Sequence, residues 1–465
     1  MLFNSQLFIC VFLPIVIGAY YAMARNRRAR EGLLIVASLV FYGSWDPRFV
    51  PPLVLLTAAN WTVSVWFRRT GARWVPTLGI AMNLAVLGVF KYADFLRGSV
   101  FGLAEQDWTP WHLILPLGIS FFVFQKISYL ADLRAGKAEV YRPLDFGLFV
   151  LFFPQLVAGP IVRHNEIVPQ FRADPRSPDM WENLGRGFLL FVCGVVKKVA
   201  LADTLGPIAD AGYVQLGSAP PGLAAAWIAV LAYALQIYFD FSGYSDMAIG
   251  LGRMFGFRLP FNFDAPYRAT SIQDFWRRWH MTLSRFLRDY VYIPIYARLG
   301  IAGPRTSLSR QAATTIVTML LAGLWHGAAW TFVAWGGLHG LALALNLAWS
   351  RWGIRMPTLL GIVATQLFIV VALVLFRAPG FGDAGTMFGS LLGLHGPAGV
   401  RLPDEVMLAL VGGAGLAVLG PTSQRSALEL ARPAPWLAVP AGLTLVWILV
   451  LIGGRLPNVF IYFQF

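Results

Sequence analysis

The 465-residue chain is predicted to be an all-α polytopic membrane protein, and three observations predict it. It is 57% apolar and only 13% charged, whereas soluble chains are about a quarter charged, and its mean hydropathy is +0.62. Long, predominantly apolar runs recur along the whole chain. Basic clusters punctuate the ends of those runs, as they do in the cytoplasmic loops of membrane proteins.

The runs fall at residues 7 to 24, 33 to 45, 51 to 67, 74 to 90, 111 to 131, 146 to 162, 187 to 203, 222 to 251, 312 to 349, 357 to 376, 405 to 420 and 435 to 453. At about 20 residues per span, with 312 to 349 long enough for two, they predict roughly ten to twelve helices. In the first, Ala22 to Ala24 imitates a signal-cleavage site, but the basic RNRRAR follows the apolar run where a signal peptide carries its charge before it. An uncleaved first span is expected, with Arg25 to Arg30 cytoplasmic and the N-terminus periplasmic; RRTGAR, Arg68 to Arg73, agrees. No internal repeat or low-complexity tract interrupts the series, so residues 1–465 read as one membrane domain. Its core is 115–345 and its C-terminal helices are 357–465.

Two stretches break the hairpin pattern. RHNEIVPQFRADPRSPDMWENLGRG, Arg163 to Gly187, reads as an interfacial loop with short helices. Residues 257–300 are too charged to span and too aromatic to float free, and are expected at the headgroup boundary or re-entrant. Within them Ser271 precedes Asp274 by three residues, close to a capping box. As one helix, the segment would put Arg278, Arg285 and Arg288 on one face around Met281, and His280, Ser284 and Leu287 on a neighbouring stripe. Such arginines either snorkel to lipid phosphate or line a mouth for an anionic donor.

The net charge, 37 Lys and Arg against 23 Asp and Glu, is +14. Loop charges under the positive-inside bias account for it, and a nucleic-acid partner is excluded. Cys10 and Cys193 sit alone in apolar runs and read as small packing residues.

The chemistry concentrates in LAGLWHGAAWTFVAWGGLHG, residues 321 to 340. His326 and His339 lie there in a stretch, Gln311 to Ser350, without any Lys, Arg, Asp or Glu. An unpartnered polar group in hydrocarbon costs about 2 to 7 kcal/mol, so a buried imidazole must face protein or a wet passage and is a functional candidate. Burial also disfavours the imidazolium, and a neutral ring is competent as a base. Gly323 and Gly327 flank His326 at GxxxG spacing, with Ala328 after it, so that a backbone or a thin ligand can approach. Trp325 and Trp330 are expected as rigid walls. On a continuous helix His339 would point elsewhere and serve structure. A metal site is unsupported, because neither histidine has Asp, Glu or Cys near it in sequence. GLGRMFG, Gly250 to Gly256, misses the dinucleotide spacing, and GxSxG does not occur. A second polar island, QIYFDFSGYSDMAIG, places Asp240, Ser242, Tyr244 and Asp246 around Gly243, an expected helix break. Its carboxylates would either form a proton path or brace a chamber.

These residues resemble the membrane-bound O-acyltransferase (MBOAT) family, in the bacterial branch that includes the alginate O-acetylation membrane subunit and the D-alanyl transfer protein of teichoic acids. The matching stretches are LFNSQLFICVFLPIVIGAYY, LPLGISFFVFQKISYLADL, FFPQLVAGPI, the segment from QIYFDFSGYSDM through WRRWHMTLSRFLRDYVYIPI, LAGLWHGAAW and the terminal FIYFQF. The pair WRRWHMTLSRFLRDYVYIP and GLWHG is the specific signature; the YIPIYARLGIAGPR that follows the first departs from the alginate-type pattern. The resemblance implies a ring of tilted helices around a thinned centre, with a cytoplasmic opening for an acyl donor and a periplasmic funnel for an acceptor. It carries the family's invariant histidine onto His326 and its second histidine onto His280. Acetyl-CoA is the expected donor substrate, with no metal and no tightly bound cofactor.

A neutral His326 would take the acceptor's proton as it attacks the thioester, or pass through an acyl-histidine. Arg278, Trp279, Ser284, Arg285 and Trp325 would line the donor's path, while Asp240 and Tyr244 support the chamber wall. The expected location is the bacterial inner membrane. The expected partner is a periplasmic SGNH-type acetyltransferase that modifies an exopolysaccharide, alginate-like in the first instance. The alternative is a transporter or flippase of a polar lipid or glycan, coupled through Asp132, Asp240 and Asp246.

Overall fold

A computed structural model describes residues 1–104, 108–214, 216–217, 219–298, 307–354, 356–397, 402–430, 434–453 and 460–461. Every regular element among them is helical, as the composition requires: in hydrocarbon only a helix satisfies its own backbone without a closed sheet. Among the described residues five helices are long and apolar enough to cross a membrane, Pro47–Thr70, Trp74–Gly102, Leu223–Met254, Trp330–Arg351 and Thr358–Arg377, and Phe8–Ala22 and Trp436–Ile452 are shorter apolar helices. The sequence predicts more spans than this because several runs are broken. Residues 146–162 split at Phe152, where Pro143–Leu151 ends and Phe153–Leu156 begins with Pro154 in its first turn. Met180–Val196 passes into a π-helical turn at Lys197–Ala202. Apolar side chains such as Leu345, Leu359 and Val363 are exposed along the spanning helices, which is expected where the solvent is lipid.

The described residues divide into two compact units interleaved in sequence. The first comprises Met1–Val195, Tyr244–Phe261 and Ser423–Val459. Its core is aromatic: Phe3 stacks on Phe41 and Tyr244, and Phe8 meets Phe153 edge-on. At one end, Arg27 binds Glu31 and Asp145, and Arg142 binds Asp145, so two buried carboxylates are neutralised by two arginines. Asn60 and Asn83 exchange amide hydrogen bonds between neighbouring helices. Asp132 accepts from His164 Nε2 at 3.1 Å, while the Tyr141 hydroxyl lies 2.8 Å from His164 Nδ1. Asp246 is held by Ser423 and Gln424. Cys10 and Cys193 form no disulfide, and Cys10 is exposed where a packing role was expected.

The second unit comprises Val196–Gly243, Asn262–Thr422 and the residues from Phe460. Its centre is a hairpin of Leu308–His326 and Trp330–Arg351, turned at Gly327 and Ala329 in extended conformation. The hairpin is possible because backbones touch: a Cβ at Gly323 would run into the Phe332 carbonyl oxygen, and one at Gly336 into that of Met319. Gly327 makes way for the Phe332 ring, so the glycines flanking His326 serve the hairpin's own packing. At its open end Arg351 donates to Gln311 at 2.7 Å. Thr358–Arg377 packs beside it, with Gly361 against the Thr270 carbonyl. Arg268 donates to the carbonyls of Val418 and Gly420, satisfying the C-terminal end of Asp404–Val418.

Two local expectations are corrected. Gly243 does not break its helix, which runs from Leu223 to Met254; a glycine costs about 1 kcal/mol of helix propensity, too little by itself to interrupt a helix of this length. The segment from Ser271 is not one helix either. Ser271 caps its start by accepting from the Asp274 N–H at 3.1 Å, but Ile272–Arg278 stops and Met281–Leu287 starts afresh after His280. The shared arginine face therefore does not form. The departing stretch 292–305 extends into residues 299–306, outside the described residues, as are residues 462–465 of FIYFQF.

Gly323→Val should lower stability by about 1 to 3 kcal/mol, the usual cost of overpacking, through separation of the hairpin. Gly412→Ala, whose Cβ meets nothing within 4 Å, should not. Thermal unfolding of the two variants in detergent checks this; equal midpoints would contradict the hairpin contact.

Candidate active site

His280 occupies the break just described. Its φ is +42°, one of the few left-handed non-glycine residues described, a conformation that costs about 1 to 3 kcal/mol and persists only when its surroundings impose it. Asn262 imposes it. Its side-chain oxygen lies 3.2 Å from His280 Nδ1 and accepts from the Thr282 hydroxyl at 2.7 Å and the Thr282 N–H at 3.3 Å, and its main-chain carbonyl accepts from Met281. An amide oxygen only accepts, so Nδ1 carries the proton and the lone pair of the neutral ring is on Nε2. His280 is fully buried, and burial pushes its imidazole pKa down to about 3.

His326 closes its helix and is 4% exposed. Trp325 lies beside it at 4.8 Å between ring centroids, Trp335 at 5.2 Å and Phe376 at 5.3 Å. On the returning helix Trp335 and His339 are i, i+4 neighbours with centroids 4.5 Å apart. Trp276 donates from Nε1 to His339 Nδ1 at 3.2 Å, which places the proton of that neutral ring on Nε2. His280 itself lies 6.1 Å from Trp325. Imidazoles and indoles thus alternate in one file: His280, Trp325, His326, Trp335, His339, Trp276. A cavity of about 20 Å³ opens within it, lined among others by Tyr267, Trp279, His326, Trp335, His339 and Phe376, enough for about one water. A larger cavity of about 470 Å³ lies nearby, bordered by Thr270, Asn346, Trp349, Thr365 and Phe368. The Phe368 ring stands 5.2 Å from His339.

The other residues singled out from the sequence fall in several places. Trp279 is buried, lines the small cavity and stacks on Phe275. Ser284 donates to the Trp279 carbonyl. Arg278, half-buried, binds Asp274 at 2.9 Å and approaches Asp264. Arg285 is half-buried in the second short helix. Trp330 is 55% exposed and is no wall of the site, because the hairpin turn directs it outwards. His339 does not point elsewhere: the helix is not continuous, and the turn at Gly327 returns His339 to the cavity His326 lines. Tyr244 belongs to the first unit, stacked on Phe3.

Asp240 forms a buried ion triad. Lys198 Nζ lies 2.8 Å from Asp240 Oδ1 and 2.8 Å from Asp203 Oδ1, and Asp240 Oδ2 accepts from the Ile461 N–H. The neighbouring Phe241 meets the His280 ring edge-on at 4.7 Å and Phe460 at 5.8 Å. Sequence reasoning missed Asn262, Lys198 and Trp335. The first two act across long separations, whereas the Trp335 and His339 spacing was readable once a hairpin was assumed.

The fold and this file of rings define a polytopic helical membrane protein whose second unit holds buried imidazoles beside a small cavity. Residues 60–381 match the membrane-bound O-acyltransferase family, MBOAT, and the chain belongs to it. It is 41% identical over 404 residues to a probable alginate O-acetylase of Azotobacter vinelandii, covering 84% of this chain and 78% of the relative. It is 38% identical over 443 residues to a peptidoglycan O-acetyltransferase of Helicobacter pylori, covering 87% and 82%. A teichoic acid D-alanyltransferase of Streptococcus thermophilus is 30% identical over 361 residues, covering 73% and 80%. The chain is a membrane O-acyltransferase.

Breaking the buried triad from one side should be costly. Lys198→Met leaves two carboxylates without their cation and should destabilise by about 3 to 5 kcal/mol, whereas Lys198→Met with Asp240→Leu should recover much of that loss. Unfolding titrations in mixed micelles measure both; a Lys198→Met variant as stable as wild type would contradict the pairing.

Proposed function

We propose that the chain transfers acetyl groups from cytoplasmic acetyl-CoA across the bacterial inner membrane, for O-acetylation of an extracellular polysaccharide, and that His326 is the general base. The observation that carries the reading is the burial of His326 at a cavity shared with His339, in a stretch, Gln311 to Ser350, that carries no Lys, Arg, Asp or Glu. The acetyl group and polysaccharide class are supported by the activities of the relatives, alginate and peptidoglycan O-acetylation. The basic clusters Arg25 to Arg30 and Arg68 to Arg73 support a periplasmic N-terminus.

In this reading His326 accepts the proton of an acceptor hydroxyl as that oxygen attacks the thioester carbonyl. His280, held by Asn262 with its lone pair on Nε2, is on the donor side with Arg278 and Arg285, whose guanidinium groups suit the phosphates of acetyl-CoA. The acceptor of the transferred group is a periplasmic SGNH-type acetyltransferase acting on the glycan. Holding donor and acceptor in one narrow passage contributes to the rate beside the base itself.

His326→Ala should lower acetyl transfer by about 10² to 10⁴-fold, the usual contribution of a general base, with protein level and thermal midpoint retained. The measurement is ester-linked acetate on exported polysaccharide in cells carrying each form. Unchanged acetate with well-folded His326→Ala protein would sink the assignment.

A further inference from the structure

Trp335 is 5% exposed and lines the cavity that His326 and His339 share. Its indole N–H has no hydrogen-bond acceptor among the described residues. Burying such a donor unsatisfied costs about 1 to 3 kcal/mol. The contrast within the same file is direct: Trp276 spends its N–H on His339 Nδ1. An indole nitrogen is a donor only, so what Trp335 lacks is an acceptor atom, and it lines the cavity in which a ligand could bring one. Trp335 is also fixed, with its ring edge-on to His326 at an interplanar angle of 88° and against Phe376 at 5.1 Å. A rigid donor with nothing to reorganise is what stabilisation of developing negative charge requires.

We propose that the Trp335 indole N–H receives the carbonyl oxygen of the acyl group and stabilises the oxyanion formed during transfer, making Trp335 a catalytic residue. The inference rests on the acyl-transfer reading of the His326 site and adds a residue to it. The acceptor hydroxyl oxygen forms a bond to the thioester carbon while its proton passes to His326. The carbonyl π pair moves onto oxygen, where Trp335 N–H donates to it. When that pair returns, the C–S bond breaks, and the thiolate leaves and takes up the proton from the imidazolium. No oxidant or further reactant is needed.

The test replaces Trp335 by Phe, and separately by benzothienylalanine, an indole isostere in which sulfur stands where the N–H was. Full-length protein in nanodiscs is assayed with acetyl-CoA as the probe, reading released thiol, and cells carrying each form are assayed for ester-linked acetate. Both replacements should lower kcat by about 10² to 10³-fold, the range for one oxyanion donor, with KM for acetyl-CoA changed less than about threefold and the thermal midpoint of the isostere form kept. Wild-type kcat, or wild-type acetate in cells, from the isostere form would overturn the proposal, and so would a loss confined to KM. His326→Ala assayed alongside separates the two ideas: an inactive His326→Ala with an active isostere rejects only the role of Trp335, whereas an active His326→Ala rejects the underlying reading.

Discussion

The second unit depends on the contact of two backbones at Gly323 and Gly336. With no side chain at either position, Leu308–His326 and Trp330–Arg351 approach until carbonyl oxygens meet the opposing Cα positions. In lipid, apolar burial does not favour one helix pairing over another, so close van der Waals approach of this kind is what holds a hairpin together. Everything at the candidate site follows from its register. His326 ends the first helix where the second presents Trp335 and His339, and Trp276 and Phe376 enclose the same rings from neighbouring helices.

Several buried polar groups of the chain are matched by specific partners. His280, Asp240, Asp246 and Asp132 are each held by named neighbours. His280 keeps its left-handed backbone because one asparagine oxygen gathers donors from His280 and Thr282. Asp240 is held between Lys198 and the Ile461 N–H. Asp246 and Asp132, in the first unit, have their own partners in Ser423, Gln424 and His164. The buried Trp335 indole N–H, by contrast, has no acceptor among the described residues, and it stands beside His326.

Much of the architecture was legible because membrane burial writes itself into composition. The spans 222 to 251, 357 to 376, 405 to 420 and 435 to 453 correspond closely to helices Leu223–Met254, Thr358–Arg377, Asp404–Val418 and Pro435–Ile452. The cap at Ser271 was legible from its spacing to Asp274. What periodicity could not reveal was set by distant partners. The break at His280 is made by Asn262, eighteen residues earlier. The return of His339 depends on a turn of small residues that hydropathy treats as continuous with its flanks. The pairing of Asp240 needed Lys198, which the sequence places in an otherwise apolar run.

The most direct test of the account is a structure of the protein with a non-transferable ketone analogue of acetyl-CoA bound. The account predicts the acyl carbonyl in the small cavity, its carbon facing His326 and its oxygen about 3 Å from the Trp335 indole nitrogen, a normal hydrogen-bond distance. An acyl group seated elsewhere, with the rings around His326 packed as they are here and no ligand atom among them, would contradict it.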